Sequence, residues 1–122
     1  MEWTTEDHLR DKPAAAVAMY NRFIALVERC GPFTYAVSKT TITLKGTHRG
    51  FAGVRPTDRG SLAGYFDLQR HALDPRVISV SPYTTRLFVH QFRISTSDEL
   101  DDGFGALLYE AYQVGAGAHV AR

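Results

Sequence analysis

Apolar side chains between Pro13 and Cys30 recur at steps of three and four residues, which is the period of an α-helix. The apolar positions are Val17, Tyr20, Phe23, Ile24 and Val27. Proline suits the first turn of a helix, and the Gly31-Pro32 pair suits its end. The pattern therefore predicts an amphipathic helix from Pro13 to about Cys30.

A shorter helix is predicted at the start of the chain. Thr4 or Thr5 can cap its first turn, where Glu6 and Asp7 meet the positive end of the helix dipole. Lys12 precedes a proline and is therefore disfavoured in the α conformation. We expect the first helix to end before Lys12.

From Phe33 to Ile94 the pattern changes to alternation, rich in β-branched and aromatic residues. Six short strands are predicted over residues 34–38, 41–46, 49–55, 61–68, 77–81 and 86–94, with turns at 39–40, 46–48, 56–60 and 81–84. These connections are too short for parallel crossovers, so the sheet should be mainly an antiparallel meander. The stretch from Gln69 to Pro75 has no clear period.

A closing helix is predicted from Thr96, because Thr96-Ser97-Asp98-Glu99 matches a capping box. Its apolar face consists of Leu100, Phe104, Leu107, Leu108 and Ala111. Gly115-Ala116-Gly117 should end it.

Together these elements predict an α+β fold. It is a two-layer sandwich whose antiparallel sheet of about six strands is flanked by N-terminal and C-terminal helices, with both main helices on one face. We expect one domain over residues 1–122, with a helical part at 1–32, the sheet at 33–95 and the C-terminal helix at 96–122. The acidic start is unlike a signal peptide, no apolar run approaches the ~20 residues of a membrane span, and Cys30 is the only cysteine. These features favour the cytoplasm.

Charge is unevenly distributed along the chain. Residues 33–95 contain nine Lys/Arg and three acids, a net charge of +6, whereas the two flanks together carry −5. Such segregation can create a positive field that attracts an anionic ligand or partner. The alternative is internal pairing between the basic sheet and the acidic helices.

Most catalytic signatures are missing. The chain has no phosphate-binding G-x-x-x-x-G-K-[ST] loop, no G-x-G-x-x-G, no G-x-S-x-G and no S-x-x-K. The histidines (His8, His48, His71, His90 and His119) form no close ligand pair, and one cysteine cannot build a structural zinc site. We therefore expect no metal and no cofactor. Asp67 is the only acid placed centrally in a predicted strand.

The remaining candidate chemistry is basic and aromatic. It comprises Lys39, Lys45, Arg49, Arg76, His90 and Arg93, with Phe51, Tyr65 and Tyr83. We take Lys39, Arg49, His90 and Arg93 as the candidate ligand-binding residues. Lys39 falls at a predicted hairpin turn, where simple solvation is the alternative.

His90 alternates with Phe88, Phe92 and Ile94, which places it on the apolar face. It is either a core histidine satisfied by a hydrogen bond or a residue at the edge of a pocket, where partial burial tunes its protonation. Arg93 falls on the opposite face of the same strand, so the two cannot share one surface without a bulge.

The function that follows is a non-catalytic binding module for an anionic small molecule or a protein partner, with no membrane partner. One alternative is a small enzyme that uses His90 as acid or base. A second is a single-stranded nucleic-acid binder, which is disfavoured because no recognised motif is present and the core needs most of the aromatics. A third is a homodimer that pairs its free sheet faces.

Several segments, in order, resemble a known family. They are Trp3-Thr4-Thr5-Glu6-Asp7-His8-Leu9, Lys39-Thr40-Thr41-Ile42, Phe51-Ala52-Gly53-Val54, Val89-His90-Gln91-Phe92-Arg93-Ile94, Glu99-Leu100-Asp101-Asp102 and Glu110-Ala111-Tyr112. The chain resembles the bacterial domain of unknown function with the catalogue number fifty-six fifty-five. The resemblance implies a helix–sheet–helix fold and a stand-alone member of a family in which some relatives look like C-terminal modules of predicted transport or nuclease-like proteins. It supplies no catalytic residues.

Overall fold

A computed structural model describes residues 2–118. The helices are α1 (Thr5–Leu9), α2 (Ala14–Glu28) and α3 (Asp102–Gly115), and a 3₁₀ turn covers Ser97–Glu99. The strands are β1 (Thr34–Val37), β2 (Ile42–Lys45), β3 (Gly50–Pro56), β4 (Leu62–Leu68), β5 (Val77–Thr84) and β6 (Leu87–Ile94). The predicted α+β fold with a six-stranded antiparallel sheet is confirmed.

The two N-terminal helices are separated as the sequence predicts. Thr4 caps α1: its hydroxyl accepts from the Asp7 backbone N–H at 3.2 Å, and the Asp7 carboxylate accepts from the Thr4 N–H at 2.9 Å. Asp11 has a positive φ of 61°, which turns the chain before Pro13 and lets α2 start in a new direction.

The strand order is β1-β2-β3-β4-β6-β5, so the sheet departs from a simple meander at its last two strands. β6 lies between β4 and β5 because the Gln69–Arg76 link carries the chain to the outer edge before the β5–β6 hairpin brings it back. Burial explains why β6 is the inner strand and β5 the edge strand. β6 buries Leu87, Phe92 and Ile94, whereas most of β5 is exposed and suits an edge.

Two predicted boundaries are wrong. The expected turn at residues 81–84 belongs to β5, and the turn lies at residues 85–86; Pro82 is tolerated because β5 is an edge strand. The Thr96 capping box starts only the 3₁₀ turn. The chain then bends at Leu100, which is buried, and α3 begins with a second cap in which Asp101 accepts from the Phe104 N–H at 2.9 Å.

One face of the sheet carries the core, and α2 and α3 both pack on it. Phe23 from α2, Phe66 from β4, Phe92 from β6 and Phe104 from α3 form its aromatic centre. The other face, which we call the open face, carries polar and exposed side chains such as Ser79, Ser81, Gln91 and Arg93.

Candidate functional site

Three cationic side chains from separate segments meet at one end of the sheet. Lys12 follows α1, Lys39 lies in the β1–β2 turn, and Arg55 stands near the end of β3. They line a cleft of about 360 Å³, which we call the cationic cleft, and its other lining residues are His8, Thr40, Pro56, Thr57 and Asp58. The turns at this end of the sheet and the chain after α1 therefore build one concave basic surface.

The cationic cleft has a positive balance. Asp58 is its only acid, and its carboxylate lies 3.5 Å from the Lys12 ammonium in an exposed contact that contributes little. Within residues 2–118, neither Lys39 nor Arg55 forms an ion pair. His8 is buried, and its Nε2 donates to the Ser38 carbonyl at 2.6 Å, which fixes the β1–β2 turn against α1.

The four candidate binding residues do not share one place. Lys39 lines the cationic cleft, and Arg93 lies at the same end of the sheet. Arg55, Ala63 and Arg93 are cross-strand neighbours on the open face, so the two arginines stand two strand spacings apart, about 10 Å. Arg49 lies at the opposite end of the sheet.

His90 lies inside the core, as the first of its two alternatives expects. Its ring is fully buried and stacks on Phe66 with centroids 5.3 Å apart. Nδ1 donates to the Phe88 carbonyl at 3.0 Å, and Nε2 accepts from the Ala72 N–H at 2.9 Å. Burial is the main cause that lowers the pKa of His90. With both nitrogens occupied and no surface exposed, His90 cannot touch a ligand directly, and it faces away from Arg93.

A second cleft, of about 550 Å³, lies at the Arg49 end. It is lined by His48, Arg49, Gly50, Tyr65, Asp67, Tyr83 and Val89, and we call it the Asp67 cleft. The sequence placed Asp67 in mid-strand but gave it no role. The signal that could have identified Asp67 is an acid between two apolar residues of one strand, Phe66 and Leu68. Because side chains alternate between the faces of β4, the Asp67 carboxylate turns to the open face while its two neighbours turn to the core.

Asp67 and Arg49 form the central contact of this cleft. Arg49 Nη2 donates to Asp67 Oδ2 at 2.8 Å, while Oδ1 is buried and has no hydrogen-bond partner among residues 2–118. The Asp67 side chain is only 3% exposed. Burial raises the pKa of Asp67 to about 6, and the positive charge of Arg49 opposes that rise.

We expect the Asp67 carboxyl to titrate near pH 6, because burial disfavours its charged form. Since an unfolded aspartate titrates near pH ~3.9, only the folded state holds this proton between about pH 4 and 6. The contribution of Asp67 to the free energy of unfolding should therefore fall as pH rises through that window. Carbon-13 NMR of the carboxyl measures the midpoint, and urea unfolding at several pH values measures the slope.

Two variants check this assignment. Arg49→Met should move the midpoint of Asp67 above 6, because the opposing positive charge is gone. Asp67→Asn should lose the contribution to the slope, which isolates it from the other titrating groups. A midpoint at or below pH ~4 in the native protein would contradict the assignment.

Part of the segregated charge is paired internally. Ion pairs among the described residues involve Arg49 with Asp67, Arg70 with Glu110, and Arg76 with Asp74 and Asp101. Of these contacts, Arg70–Glu110 and Arg76–Asp101 join the basic segment to the acidic C-terminal part of the chain, as the pairing alternative expects. The expectation of an anionic ligand or partner stays a prediction.

The described residues contain neither a group of metal ligands nor a helix long and apolar enough to span a membrane. Among residues 2–118, no three His, Cys, Asp or Glu side chains are grouped so that they could hold a metal ion; His119 lies outside the described residues. In that same part of the chain, every helix is too short or too polar to cross a bilayer.

The fold and clefts define a small α+β sandwich domain with one sheet face against two helices and an open face with a cleft at each end. A family comparison matches residues 5–115 to the Domain of unknown function (DUF5655), and the chain belongs to this family. The resemblance seen in the sequence is thereby confirmed. Neither the curated proteins nor the solved structures gave a match.

Proposed function

We propose that this protein is a cytoplasmic, non-catalytic binding module that holds an anionic small molecule in the cationic cleft. The observation that carries the proposal is the convergence of Lys12, Lys39 and Arg55 from three separate segments on one concave surface with a single exposed acid. The three positive charges repel one another, and this repulsion destabilises the folded state. A bound anion would offset that repulsion.

The size of the cleft favours a small ligand. About 360 Å³ is at the lower end of the range for small-molecule sites. Thr40 and Thr57 add hydroxyl groups to its lining, although the Thr57 hydroxyl already bonds to Ser61 at 2.7 Å. Ammonium and guanidinium groups together suit phosphate or carboxylate oxygens. Arg93, in the same row as Arg55, extends the positive surface for a longer anion.

We expect wild-type protein to bind at least one of four probes: inorganic phosphate, pyrophosphate, citrate and adenosine monophosphate. Lys39→Ala and Arg55→Ala should each weaken that affinity about tenfold, because each removes a charge-assisted hydrogen bond worth roughly 1.5 kcal/mol. Calorimetric titration at low salt measures the affinity. Added salt should weaken binding because the cleft is open to solvent.

The matched control is Arg59→Ala, which removes a positive charge from the adjacent β3–β4 turn but not from the cleft lining. Its affinity for the probe should stay within about twofold of wild type. Failure of all four probes to bind would overturn the proposal, as would an equal loss in Arg59→Ala, since that would indicate a diffuse field without a site.

The other functions considered from the sequence have weaker support. An enzyme that uses His90 as acid or base needs the ring at a surface, and its burial counts against that. The nucleic-acid and homodimer alternatives stay predictions.

A further inference from the structure

Within residues 2–118 the sheet has two edge strands, β1 and β5, and they differ in how they are protected against further pairing. β5 carries Pro82 and two register shifts, which are devices that keep a strand edge from pairing with another chain. β1 has neither device: its register with β2 is continuous from Thr34 to Val37, and its residues are uncharged. Only its short length limits what can pair with it. β1 is therefore the edge that is open to another extended chain.

The β1–β2 hairpin shows which backbone groups of β1 face that edge. The Ser38 N–H donates to the Thr41 carbonyl at 2.9 Å, so Ser38 turns its backbone groups to β2. Because this direction alternates along an antiparallel strand, Ala36 also faces β2, whereas Tyr35 and Val37 turn their N–H and C=O groups outward. Each of these two residues thus offers one donor and one acceptor to a further strand.

A cleft with aromatic walls lies beside the same edge. It has a volume of about 560 Å³ and is lined by Glu2, Trp3, Tyr35, Val37 and Ser38; we call it the β1 cleft. The Trp3 and Tyr35 side chains are both exposed, although each is a large apolar group. Large apolar groups exposed together mark an interaction site, and here they adjoin unpaired backbone groups.

The register determines which residues of a partner would enter the β1 cleft. The Tyr35 and Val37 side chains lie on the core side of the sheet, because their partners on β2, Leu44 and Ile42, are buried. In an antiparallel pair, residues that stand directly opposite each other share one side of the sheet. The partner residues opposite Tyr35 and Val37 therefore make the backbone hydrogen bonds and also place their side chains in the cleft.

Acidic groups at the β1 cleft indicate the charge of the partner. Glu2 is the only charged residue in the lining described. The Glu28 carboxylate, at the end of α2, also acts on Tyr35: burial and, after it, this negative charge raise the pKa of the Tyr35 hydroxyl. A basic side chain opposite Tyr35 is therefore favoured over an acidic one.

A second copy of the chain fits this edge less well. Two β1 strands that pair about a two-fold axis would join only the four residues of each strand. A stable dimer needs about 800 Å² and roughly 20 to 30 residues from each partner. Self-pairing would also bring the acidic lining of two β1 clefts together.

We propose that the β1 edge binds an extended peptide segment of another protein, antiparallel to β1, with an apolar and a basic side chain at alternate positions in the β1 cleft. The apolar side chain stands opposite Val37, and the basic one stands opposite Tyr35. In this mode of recognition the backbone hydrogen bonds supply affinity, and the alternate side chains supply specificity. This site goes beyond the anion-binding function and does not depend on it.

The probe is the pentapeptide Thr-Val-Thr-Arg-Thr with blocked ends, in which valine matches Val37 and arginine matches Tyr35. Nitrogen-15 NMR of the whole protein follows the amides of Tyr35 and Val37 and the indole of Trp3. We expect saturable shifts and a Kd of roughly 1 mM, as two donors and two acceptors on β1 would give. Replacement of the peptide's arginine by glutamate should weaken binding about fivefold.

Two methylated peptides test the backbone contacts at equal composition. N-methylation of the valine and the arginine removes the donors that face β1, and it should weaken binding at least about tenfold. N-methylation of the third and fifth residues is the matched control, because their N–H groups face away from β1. We expect that control peptide to bind within about threefold of the parent.

Val37→Pro tests the same contact from the side of the protein. Proline removes an N–H that the β1–β2 ladder does not use, so this edge position tolerates it. We expect peptide affinity to fall at least about tenfold, whereas Val37→Ala, which keeps the N–H, should stay within about threefold of wild type. Arg55→Ala should weaken anion binding and leave peptide binding unchanged, which separates failure of this site from failure of the cationic cleft.

Three results would overturn the proposal. They are no saturable shift with the parent peptide, equal affinity for the two methylated peptides, and a wild-type dimer in sedimentation that Val37→Pro converts to a monomer. The last result would assign the edge to a second copy of the chain. If Val37→Pro fails to fold, which its amide spectrum shows directly, the two methylated peptides on wild-type protein decide the question.

Discussion

Phe66→Ala is expected to lower the free energy of unfolding by about 3–5 kcal/mol. The side chain is completely buried on β4 and stands at the centre of the aromatic core. Its ring stacks on Phe92 at 5.8 Å and on His90 at 5.3 Å, and meets Phe104 edge-on at 5.8 Å. Alanine would leave a cavity between the sheet and α3, and these three rings cannot all move into it because neighbouring core residues hold each of them.

Urea unfolding measures this loss, with Tyr109→Ala as the control for removal of a large aromatic side chain. Tyr109 lies on α3 but is half exposed, so its replacement should cost less than about 1 kcal/mol. Phe66→Leu should fall between the two variants, since it retains most of the buried apolar volume. A loss below about 1.5 kcal/mol in Phe66→Ala would mean that the core can repack around the missing ring.

Local patterns predicted the elements well because they depend on neighbouring residues. The alternation of Ile42 and Leu44 with polar residues defines β2, and the three- and four-residue steps from Val17 to Val27 define α2. The strand order could not be predicted in the same way, since the position of β6 between β4 and β5 depends on how a link without a period crosses the end of the sheet.

His90 shows how the same limit applies to a single residue. Alternation placed it on the apolar face correctly, but its choice between core and pocket edge depended on the Gln69–Arg76 link. In the folded chain Ala72, from this link, donates its N–H to the His90 ring and closes the space above it. No pattern in the sequence predicts the path of that link, so the two alternatives could not be separated.

The candidate sites were predicted in part. The excess of basic residues in segment 33–95 pointed to a basic surface, and Lys39 lines the cationic cleft. Which cations are neutralised could not be read from the sequence, because Asp67 and Asp101, which pair with Arg49 and Arg76, lie on other elements. Asp67 was visible as a lone strand acid, but its missing hydrogen bond is a property of the packed sheet.

Arg76→Met is expected to lower the free energy of unfolding by about 3 kcal/mol, because it removes one partner of a largely buried ion-pair network. The Arg76 side chain is 14% exposed. It donates to the Asp74 carboxylate through Nε and Nη2, both at 2.8 Å, and through Nη1 to the Glu99 carbonyl at 2.6 Å and Asp101 Oδ1 at 2.7 Å. Asp101 also caps α3, so Arg76 joins the start of β5 to the start of that helix.

The matched control is Arg70→Met, measured by the same urea unfolding at pH ~7. Arg70 also holds a carboxylate with two N–H groups, at 3.0 and 2.6 Å from Glu110, but the Arg70 side chain is 54% exposed. Solvent screens that pair, and its loss should cost less than about 1 kcal/mol. Equal losses in the two variants would contradict the assignment, because burial is the feature that separates them.

The network also predicts how the cost of Arg76→Met depends on pH. Hydrogen bonding to Arg76 lowers the pKa of Asp74, so the folded state holds Asp74 ionised at a pH where the unfolded chain has begun to bind a proton. This contribution to stability is complete above the unfolded pKa of ~3.9 and is lost as pH falls through the lower folded value. The difference between wild type and Arg76→Met should therefore shrink in acid. A difference that stays constant to about pH 2 would show that Arg76 acts instead through contacts that do not titrate, namely its hydrogen bond to the Glu99 carbonyl and the position of its guanidinium over the Phe104 ring.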